Sequence, residues 1–251
     1  MPARVSEAII LRSYPLQEAD LVVSFFTRDQ GKLRGVAKRA RRPKSAFGAG
    51  LERLSLVRMA YFQRESRELV NLDSCELIHS SFLLQTDYTV SVALDFMAEI
   101  SEHFLPAGEA NEKFFRLLMA MLEATRAGPE SVWRTVTYFS YWTVRLAGVL
   151  PALHACSGCG SWLDDPENPQ RAYFTRQDAG VYCGNCRRRN GWELSAASRK
   201  LAEEMSRKPV GQLEPGSWSK EASADLRHFL LQQMEEAIER KLVTAAVLEA
   251  L

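Results

Sequence analysis

The segments that decide the fold are Leu21-Val-Val-Ser-Phe-Phe-Thr27, a turn at Asp29-Gln-Gly31, and then Gly31-Lys-Leu-Arg-Gly-Val-Ala-Lys38. The first is rich in the β-branched and aromatic residues that favour strands, and the turn residues predict a hairpin. Three further short apolar segments lie nearby, at Glu7–Arg12, Leu54–Phe62 and Glu68–Asp73. Five short strands separated by polar turns predict a small barrel or sandwich over residues 1–80.

The rest of the chain has helical spacing of its apolar residues. This spacing recurs at residues 93–104, 114–122, 132–146 and 219–242, and Ser195 is a good N-cap for a further helix. Residues 151–192 are irregular and hold four of the five cysteines. The sequence therefore predicts an α+β protein, with a β domain at 1–80 and a helical domain at 81–251 that carries a cysteine-bearing insert.

Composition and charge narrow the class of protein. The 251 residues are 46% hydrophobic and 25% charged, which is typical of a globular protein. No stretch of 18 apolar residues is present and the first residues lack a secretory signal, so we expect a cytoplasmic protein with reduced thiols. Residues 1–80 contain 14 Lys/Arg against 9 Asp/Glu, whereas the remainder contains 18 against 22. This asymmetry favours a polyanionic partner for the β domain.

Two cysteine pairs predict a metal site. Cys156-Ser-Gly-Cys159 and Cys183-Gly-Asn-Cys186 are two C-x₂-C motifs, which is a zinc signature. Neighbouring glycines (Gly158, Gly160, Gly184) are expected to supply the positive φ that such turns need. Four thiolates close the tetrahedron, so the predicted zinc is structural. Unrelated buried thiols and a redox pair are the alternatives. Cys75 is expected to be a small core residue.

A basic segment predicts a nucleic-acid contact. Residues 32–44 carry seven positive charges and no negative charge, at Lys32, Arg34, Lys38, Arg39, Arg41, Arg42 and Lys44. Such a cluster on a β module is typical of phosphate binding. The alternative is a solvated surface loop. Phe47 lies just beyond the segment and is equally suited to stacking on a base or to anchoring the loop to the barrel.

Three other features have two readings each. The aromatic-rich helix with Trp133, Tyr138, Phe139, Tyr141 and Trp142 is a packed core or a stacking surface, and its spacing favours the core. Arg187-Arg-Arg189 is a soluble rim of the zinc loop or a second phosphate contact. His154 is a possible competitor for the metal, although four thiolates suffice.

No catalytic motif is present. The sequence lacks G-x-x-x-x-G-K-[ST], G-x-G-x-x-G, G-x-S-x-G and H-E-x-x-H, and its four histidines are scattered singly. We therefore expect no enzymatic activity. An uncharacterised hydrolase with a structural zinc is the alternative, which a nuclease or ATPase assay would test.

Taken together, these motifs resemble the RecO family of recombination mediators, over essentially the whole chain. The segments that carry the resemblance are Phe25–Gly31, Val36–Ser45, Glu65–Leu69, Leu150–Gly160, Tyr173-Phe174 and Gly180–Cys186. The chain departs from the family at Arg39, where Gly is frequent, and at Arg53-Leu54, where Pro-Phe is frequent.

The resemblance implies an OB-fold N-terminal domain followed by a helical domain. It also implies binding of single- and double-stranded DNA, annealing of complementary strands, and assistance to RecA loading in the RecF pathway. The implied partners are RecR, single-strand DNA-binding protein and, indirectly, RecA, which would place the protein at the nucleoid. From the residues alone, an RNA-binding or transcription-associated zinc protein is the alternative.

Overall fold

The computed structural model describes residues 3–63, 68–176, 178–187, 190–214 and 218–251. The chain forms two compact units. Unit 1 contains Met1–Pro129 together with Leu242–Leu251, and unit 2 contains Glu130–Lys241. Among the described residues, no helix combines the length and the apolar character that crossing a bilayer requires.

Unit 1 is built on a closed five-stranded barrel. Its strands are β1 (Arg4–Leu16), β2 (Asp20–Thr27), β3 (Gly31–Ala37), β4 (Leu56–Phe62) and β5 (Val70–His79). Their order is β1-β2-β3-β5-β4, and β1 pairs with β4 to close the barrel. All pairs are antiparallel except β3 with β5. The five predicted strands are thus confirmed, and the closed five-stranded Greek-key arrangement is that of an OB-fold.

The barrel interior follows the alternation of each strand. Val23 and Phe25 from β2 and Met59 and Tyr61 from β4 are fully buried in it, and the rings of Phe25 and Tyr61 meet edge to face at 5.9 Å. On β4, the face that carries Arg58 and Phe62 points outward instead. Side chains alternate between the two faces of a strand, so a slip of one residue would turn the apolar side chains out of the barrel. Burial of these side chains therefore fixes the register between neighbouring strands.

Two helices cover part of the outer barrel surface. They are α1 (Tyr88–Phe104) and α2 (Glu112–Ala124), and their N-caps are Asp87 and Asn111. Phe26 on the outer face of β2 packs against Phe114 and Phe115 of α2, with ring centroids 6.1 and 5.6 Å apart. The chain before α2 also passes close to the β2–β3 turn. A Cβ at Gly31 would lie 2.1 Å from the carbonyl oxygen of Glu109, so only glycine fits there.

The predicted last helix is wrong in its extent. Apolar spacing indicated one helix from about residue 219 to 242, but α5 spans Ala224–Ala237 and ends before Glu239, which has φ of 52°. A separate helix, α6 (Val243–Glu249), then belongs to unit 1 and packs on α1. The Glu99 carboxylate accepts hydrogen bonds from the backbone N–H groups of Val243 (2.9 Å) and Thr244 (2.8 Å), and therefore caps α6.

The described residues of unit 2 form three α-helices and a small sheet. The helices are α3 (Val132–Leu146), α4 (Ala196–Arg207) and α5, and α3 packs against both others. Ser195 caps α4 as predicted, since its hydroxyl accepts from the N–H of Ser198. The cysteine-bearing insert was predicted to be irregular, but it contains an antiparallel sheet. Its strands are β6 (Ala172–Thr175), β7 (Asp178–Tyr182) and β8 (Trp192–Leu194), in the order β7-β6-β8.

The compact units divide the chain at Pro129, whereas the sequence placed the change of domain near residue 80. The helices α1, α2 and α6 bury their apolar faces with the barrel in one unit, which sequence periodicity does not reveal. The division into 1–80 and 81–251 stays a prediction.

Candidate nucleic-acid interface and metal centre

The basic segment continues from β3 into a series of tight turns. Backbone hydrogen bonds run from Arg42 N–H to Arg39 O (3.1 Å), from Ser45 N–H to Arg42 O (3.2 Å) and from Gly48 N–H to Ser45 O (3.4 Å). Arg39 has a left-handed φ of 55°, and its N–H donates to the Asp20 carboxylate at 2.7 Å. A left-handed backbone is easiest for glycine, which accounts for the glycine that the family resemblance leads one to expect here.

Phe47 anchors this segment to the barrel. Its side chain is 4% exposed and lies in the barrel core with Leu51. The Phe47 carbonyl oxygen accepts a hydrogen bond from the Cys75 thiol at 3.2 Å, and the Cys75 N–H donates to Ala46 O at 3.4 Å. Of the two readings of Phe47, the structure supports the anchor. Burial raises the pKa of Cys75 to about 11, which agrees with a small core residue rather than a ligand.

Most of the predicted DNA-binding residues lie free at the surface. Arg34 is exposed on β3, and the others that are exposed are Lys38, Arg39, Arg41, Arg42 and Lys44. Within the described part of the chain, none of these six side chains forms an ion pair. Arg41 makes one long contact, from its guanidinium to the carbonyl oxygen of Glu18 at 3.4 Å. Their charges are therefore available to a ligand.

Lys32 differs from the other predicted DNA-binding residues. It is half-buried, and its ammonium donates to the backbone oxygen of Glu102 at the end of α1. Burial lowers the pKa of Lys32 from its ordinary value, although the Glu102 carboxylate opposes this shift. Ser24 on the adjacent strand donates to the same carboxylate. The structure therefore gives Lys32 a role in joining the barrel to α1.

The four predicted metal ligands come together in unit 2. Their sulfur atoms all lie within 4.8 Å of one another, and the sulfurs of Cys159 and Cys183 are 3.9 Å apart. Tetrahedral zinc with Zn–S bonds of about 2.3 Å needs sulfurs about 3.8 Å apart. Two pairs of thiols on two turns, with all four sulfurs within 4.8 Å of one another, suit a single tetrahedral ion. The four cysteines are therefore able to hold a metal ion.

Each cysteine pair lies on its own turn, and the backbone joins the two. In the first turn Gly160 N–H donates to Cys156 O at 2.8 Å, and in the second Cys186 N–H donates to Cys183 O at 3.2 Å. The N–H of Ser157 donates to Val181 O at 2.8 Å and links the first turn to β7, which leads into the second turn. Gly160 has φ of 73°, as predicted. The expectation of positive φ at Gly158 and Gly184 is wrong.

Hydrogen bonds to sulfur favour thiolates at this site. Burial raises the pKa of Cys156, but hydrogen bonds from backbone N–H groups outweigh burial and bring this pKa down to about 6. The N–H of Cys183, 3.3 Å from the Cys156 sulfur, contributes most to the lowering. The Ser161 hydroxyl lowers the pKa of Cys159, which lies 3.1 Å from it. The neighbouring sulfurs, that of Cys183 first, raise the pKa of Cys186 to about 12. A bound cation would relieve the crowding of sulfurs that raises the pKa of Cys186.

A buried arginine of α4 joins this helix to the cysteine-bearing insert. Arg199 is 1% exposed, and its guanidinium pairs with the Asp164 carboxylate and donates to Leu194 O at 2.7 Å. The same carboxylate binds Nδ1 of His154, whose ring stacks on Trp162 at 5.7 Å. His154 is thus engaged away from the four sulfurs. Sequence reasoning missed Arg199, since nothing in its local pattern separates it from a surface arginine on a helix.

The aromatic helix is α3, and it is mainly core. Tyr138, Phe139 and Tyr141 are buried, as the helical spacing predicted.

Arg187 directly follows the fourth cysteine. Its guanidinium carbon lies 4.4 Å from the centroid of the Tyr173 ring, at the rim of the cysteine-bearing insert. Arg188 and Arg189 lie outside the described residues, as does most of the Glu65–Leu69 segment.

Comparison with known proteins identifies the class to which this fold and site belong. A model of the N-terminal domain of recombination protein O matches residues 1–81, and a model of its C-terminal domain matches residues 85–245. Together these two matches span nearly all of the chain. The class of protein is therefore a recombination protein O with both of its domains.

Individual relatives give the same result. The chain is 44% identical over 246 residues to the DNA repair protein RecO of Koribacter versatilis, covering 98% of each protein. It is 31% identical over 191 residues to the DNA repair protein RecO of Cutibacterium acnes, covering 74% of this chain and 75% of that protein. The chain belongs to the RecO family of DNA repair proteins. The family assignment does not favour the alternative of an RNA-binding or transcription-associated zinc protein.

Proposed function

We propose that this protein is a recombination mediator that binds single- and double-stranded DNA, anneals complementary strands and assists RecA loading in the RecF pathway. The observation that carries the proposal is the exposed, unpaired set of charges at Arg34, Lys38, Arg39, Arg41 and Arg42, with Lys44 beside them. Arg34 lies on β3, and the others lie in the segment that follows β3 and that Phe47 fixes to the barrel. Cations held in this way neutralise phosphates without a sequence preference.

The proposed annealing mechanism is electrostatic. Two complementary strands repel each other through their phosphates, and a cationic surface that binds both reduces this repulsion and raises their local concentration. Base pairing then supplies the free energy. Because no nucleotide-binding or hydrolytic motif occurs in the sequence, the proposed activity is not enzymatic and needs no ATP.

The proposed metal is zinc with a structural role. Cys156, Cys159, Cys183 and Cys186 would hold it, and four thiolates leave no position for a substrate or a reactive water. The two turns each carry two ligands, and Arg199 joins the insert to α4. When bound, the ion would cross-link these turns and stabilise unit 2.

The proposed partners follow from the family. Membership supports contacts with RecR and with single-strand DNA-binding protein, an indirect contact with RecA, and a location in the cytoplasm at the nucleoid. In the proposed division of labour, residues 1–80 bind DNA and residues 81–251 direct the protein to DNA coated by other proteins.

A strand-annealing assay tests the proposal. Two complementary fluorescent oligonucleotides, without a nucleotide cofactor, should pair faster with the wild-type protein than alone. Replacing Lys38, Arg39, Arg41 and Arg42 by alanine should remove most of this acceleration. A matched control replaces four exposed basic residues elsewhere with alanine, at Lys113, Arg116, Arg126 and Lys200. Equal loss in both variants would refute the assigned surface, and a strict need for ATP would refute the mechanism.

A further inference from the structure

The strand register places an arginine and a tyrosine of β1 next to the basic residues of β3. Arg12 lies opposite Ser24 of β2, and Ser24 lies opposite Arg34 of β3. Adjacent strands are about 4.8 Å apart, so the backbones of Arg12 and Arg34 are about 10 Å apart. These residues are 22 positions apart in the sequence, so no local pattern joins them.

Two residues further along each strand, on the same outer face, the aligned residues of β1, β2 and β3 are apolar or aromatic. Tyr14 lies opposite Val22, and Val22 lies opposite Val36. The intervening residues Val23 and Ala37 are in the barrel core, so the side chains of this row point outward. All three are partly exposed. We call the surface formed by Arg12, Tyr14, Val22, Arg34 and Val36 the open barrel face.

The open barrel face is the more exposed part of the outer β1–β2–β3 surface, although Glu102 of α1 covers Ser24 between its two arginines. Further along β2, Ser24 and Phe26 are fully buried, because Glu102 of α1 and the two phenylalanines of α2 cover them. Arg12 and Arg34, by contrast, are exposed. The half of the outer β1–β2–β3 surface that stays open is also the half that leads into Lys38.

Arg12 and Tyr14 already form a stacked pair. The guanidinium carbon of Arg12 lies 4.9 Å from the centroid of the Tyr14 ring. Neither side chain forms an ion pair within the described residues, although the charge of Arg12 acts on the nearby Asp95, which is paired with Arg53. Aromatic rings and guanidinium planes are the two kinds of side chain on which unpaired bases stack.

We propose that the open barrel face is a base-stacking subsite for single-stranded DNA, in which Tyr14 and Arg12 receive an unpaired base and Arg34 and Lys38 bind the adjoining phosphates. This inference rests on the proposed DNA binding and adds a means of discrimination. A duplex keeps its bases stacked inside, so it uses only the phosphate contacts. A single strand uses both kinds of contact. Tyr14 therefore determines the preference for single strands.

Variants at Tyr14 test the subsite. Tyr14→Val keeps a strand-favouring residue and removes the ring, and Tyr14→Phe keeps the ring. The affinity for oligo-dT, measured by fluorescence anisotropy at fixed salt, should fall about 5- to 150-fold in Tyr14→Val. It should remain near wild type in Tyr14→Phe. The affinity for a duplex of the same length should change less than twofold in both. Tyr88→Ala, which removes an exposed tyrosine from α1, is the matched control and should bind like wild type.

An abasic oligonucleotide separates stacking from loss of structure. It offers phosphates but no bases, so wild type and Tyr14→Val should bind it equally. If Tyr14→Val also binds the abasic strand or the duplex more weakly, the ring acts through the fold or the phosphates and the subsite is refuted. Unchanged binding of all DNAs by Tyr14→Val likewise refutes it and leaves the face to a protein partner. If wild type itself binds no DNA, the proposed function fails first, and this outcome is distinct from the other two.

Discussion

The basic segment of unit 1 and the cysteine turns of unit 2 are both turn-rich pieces of chain, but different forces fix them. The basic segment is anchored by an apolar side chain, Phe47, that enters the barrel core. The cysteine turns have four sulfurs at their centre that could hold a metal ion, and the proposed ion would cross-link the two turns. An apolar anchor leaves the charges on the segment free to bind a ligand, whereas a metal centre uses its polar groups for its own stability.

The largest expected effect comes from breaking the metal centre. Cys183→Ser removes a buried ligand, so the zinc content should fall from one ion per chain to near zero, and unit 2 should lose more than about 5 kcal/mol of stability. Elemental analysis and chemical denaturation measure this. Cys75→Ser is the control and should retain the metal. The DNA affinity per folded unit 1 should change little in Cys183→Ser. A variant that retains full metal content would show that the assignment of this ligand is wrong.

The second effect comes from removing the apolar anchor. Phe47→Ala leaves a cavity in the barrel core and should lower the free energy of unfolding of unit 1 by about 3–5 kcal/mol. The metal content of unit 2 should be unchanged, which is the opposite outcome to Cys183→Ser. Denaturant titration with zinc analysis on the same samples checks both. Loss of metal in Phe47→Ala would contradict the independent stabilisation of the two segments.

The third effect concerns charge and not stability. The alanine variant of Lys38, Arg39, Arg41 and Arg42 should bind all DNA sequences at least tenfold more weakly, a change of about 1.4 kcal/mol. On single strands, the slope of log affinity against log salt should become shallower by about 0.7 for each lost contact. Melting temperature should stay close to wild type, because none of these side chains forms an ion pair with a described residue. An unchanged salt slope would place the phosphate contacts elsewhere.

The smallest effect is the capping of α6. Burial raises the pKa of Glu99, but hydrogen bonds from Thr244 and Val243 outweigh this and lower it below its ordinary value of 4.5. A lowered pKa means that the carboxylate stabilises the fold above pH 4.5 and that this contribution is lost as the pH falls through the folded pKa. Glu99→Gln should cost about 0.5–2 kcal/mol at neutral pH and nothing in strong acid.

Hydrogen exchange of the α6 amides and denaturation across pH 3–7 measure this contribution. Glu76→Gln, on the barrel surface and 68% exposed, is the matched control. An equal loss in Glu99→Gln at acidic and neutral pH would show that the carboxylate charge is not the cause.

The sequence predicted the parts of the structure that depend on local pattern. The five barrel strands were predicted because alternation and turn residues are local signals. The cluster of four cysteines was predicted because the spacing of the cysteines is also local. Features that depend on tertiary structure were not predicted. The end of α5 at Ala237 interrupts apolar spacing that continues to Leu242. The sequence predicted Lys32 to be one of the DNA-binding cations, but in the structure its ammonium joins the barrel to α1. The proximity of Arg12 to Arg34 depends on register across three strands, which only tertiary structure reveals.

The return of α6 to unit 1 has a consequence for synthesis of the protein. The residues that complete unit 1, Leu242–Leu251, are translated after every residue of unit 2. A ribosome-bound chain can therefore form the barrel with α1 and α2 early, but Glu99 must wait for its hydrogen-bond donors until the 112 residues of unit 2 have been made. During this interval the face of α1 that receives α6 is exposed to water and to chaperones. Unit 2 is in this sense an insertion, and the time needed to synthesise it decides how long unit 1 stays incomplete.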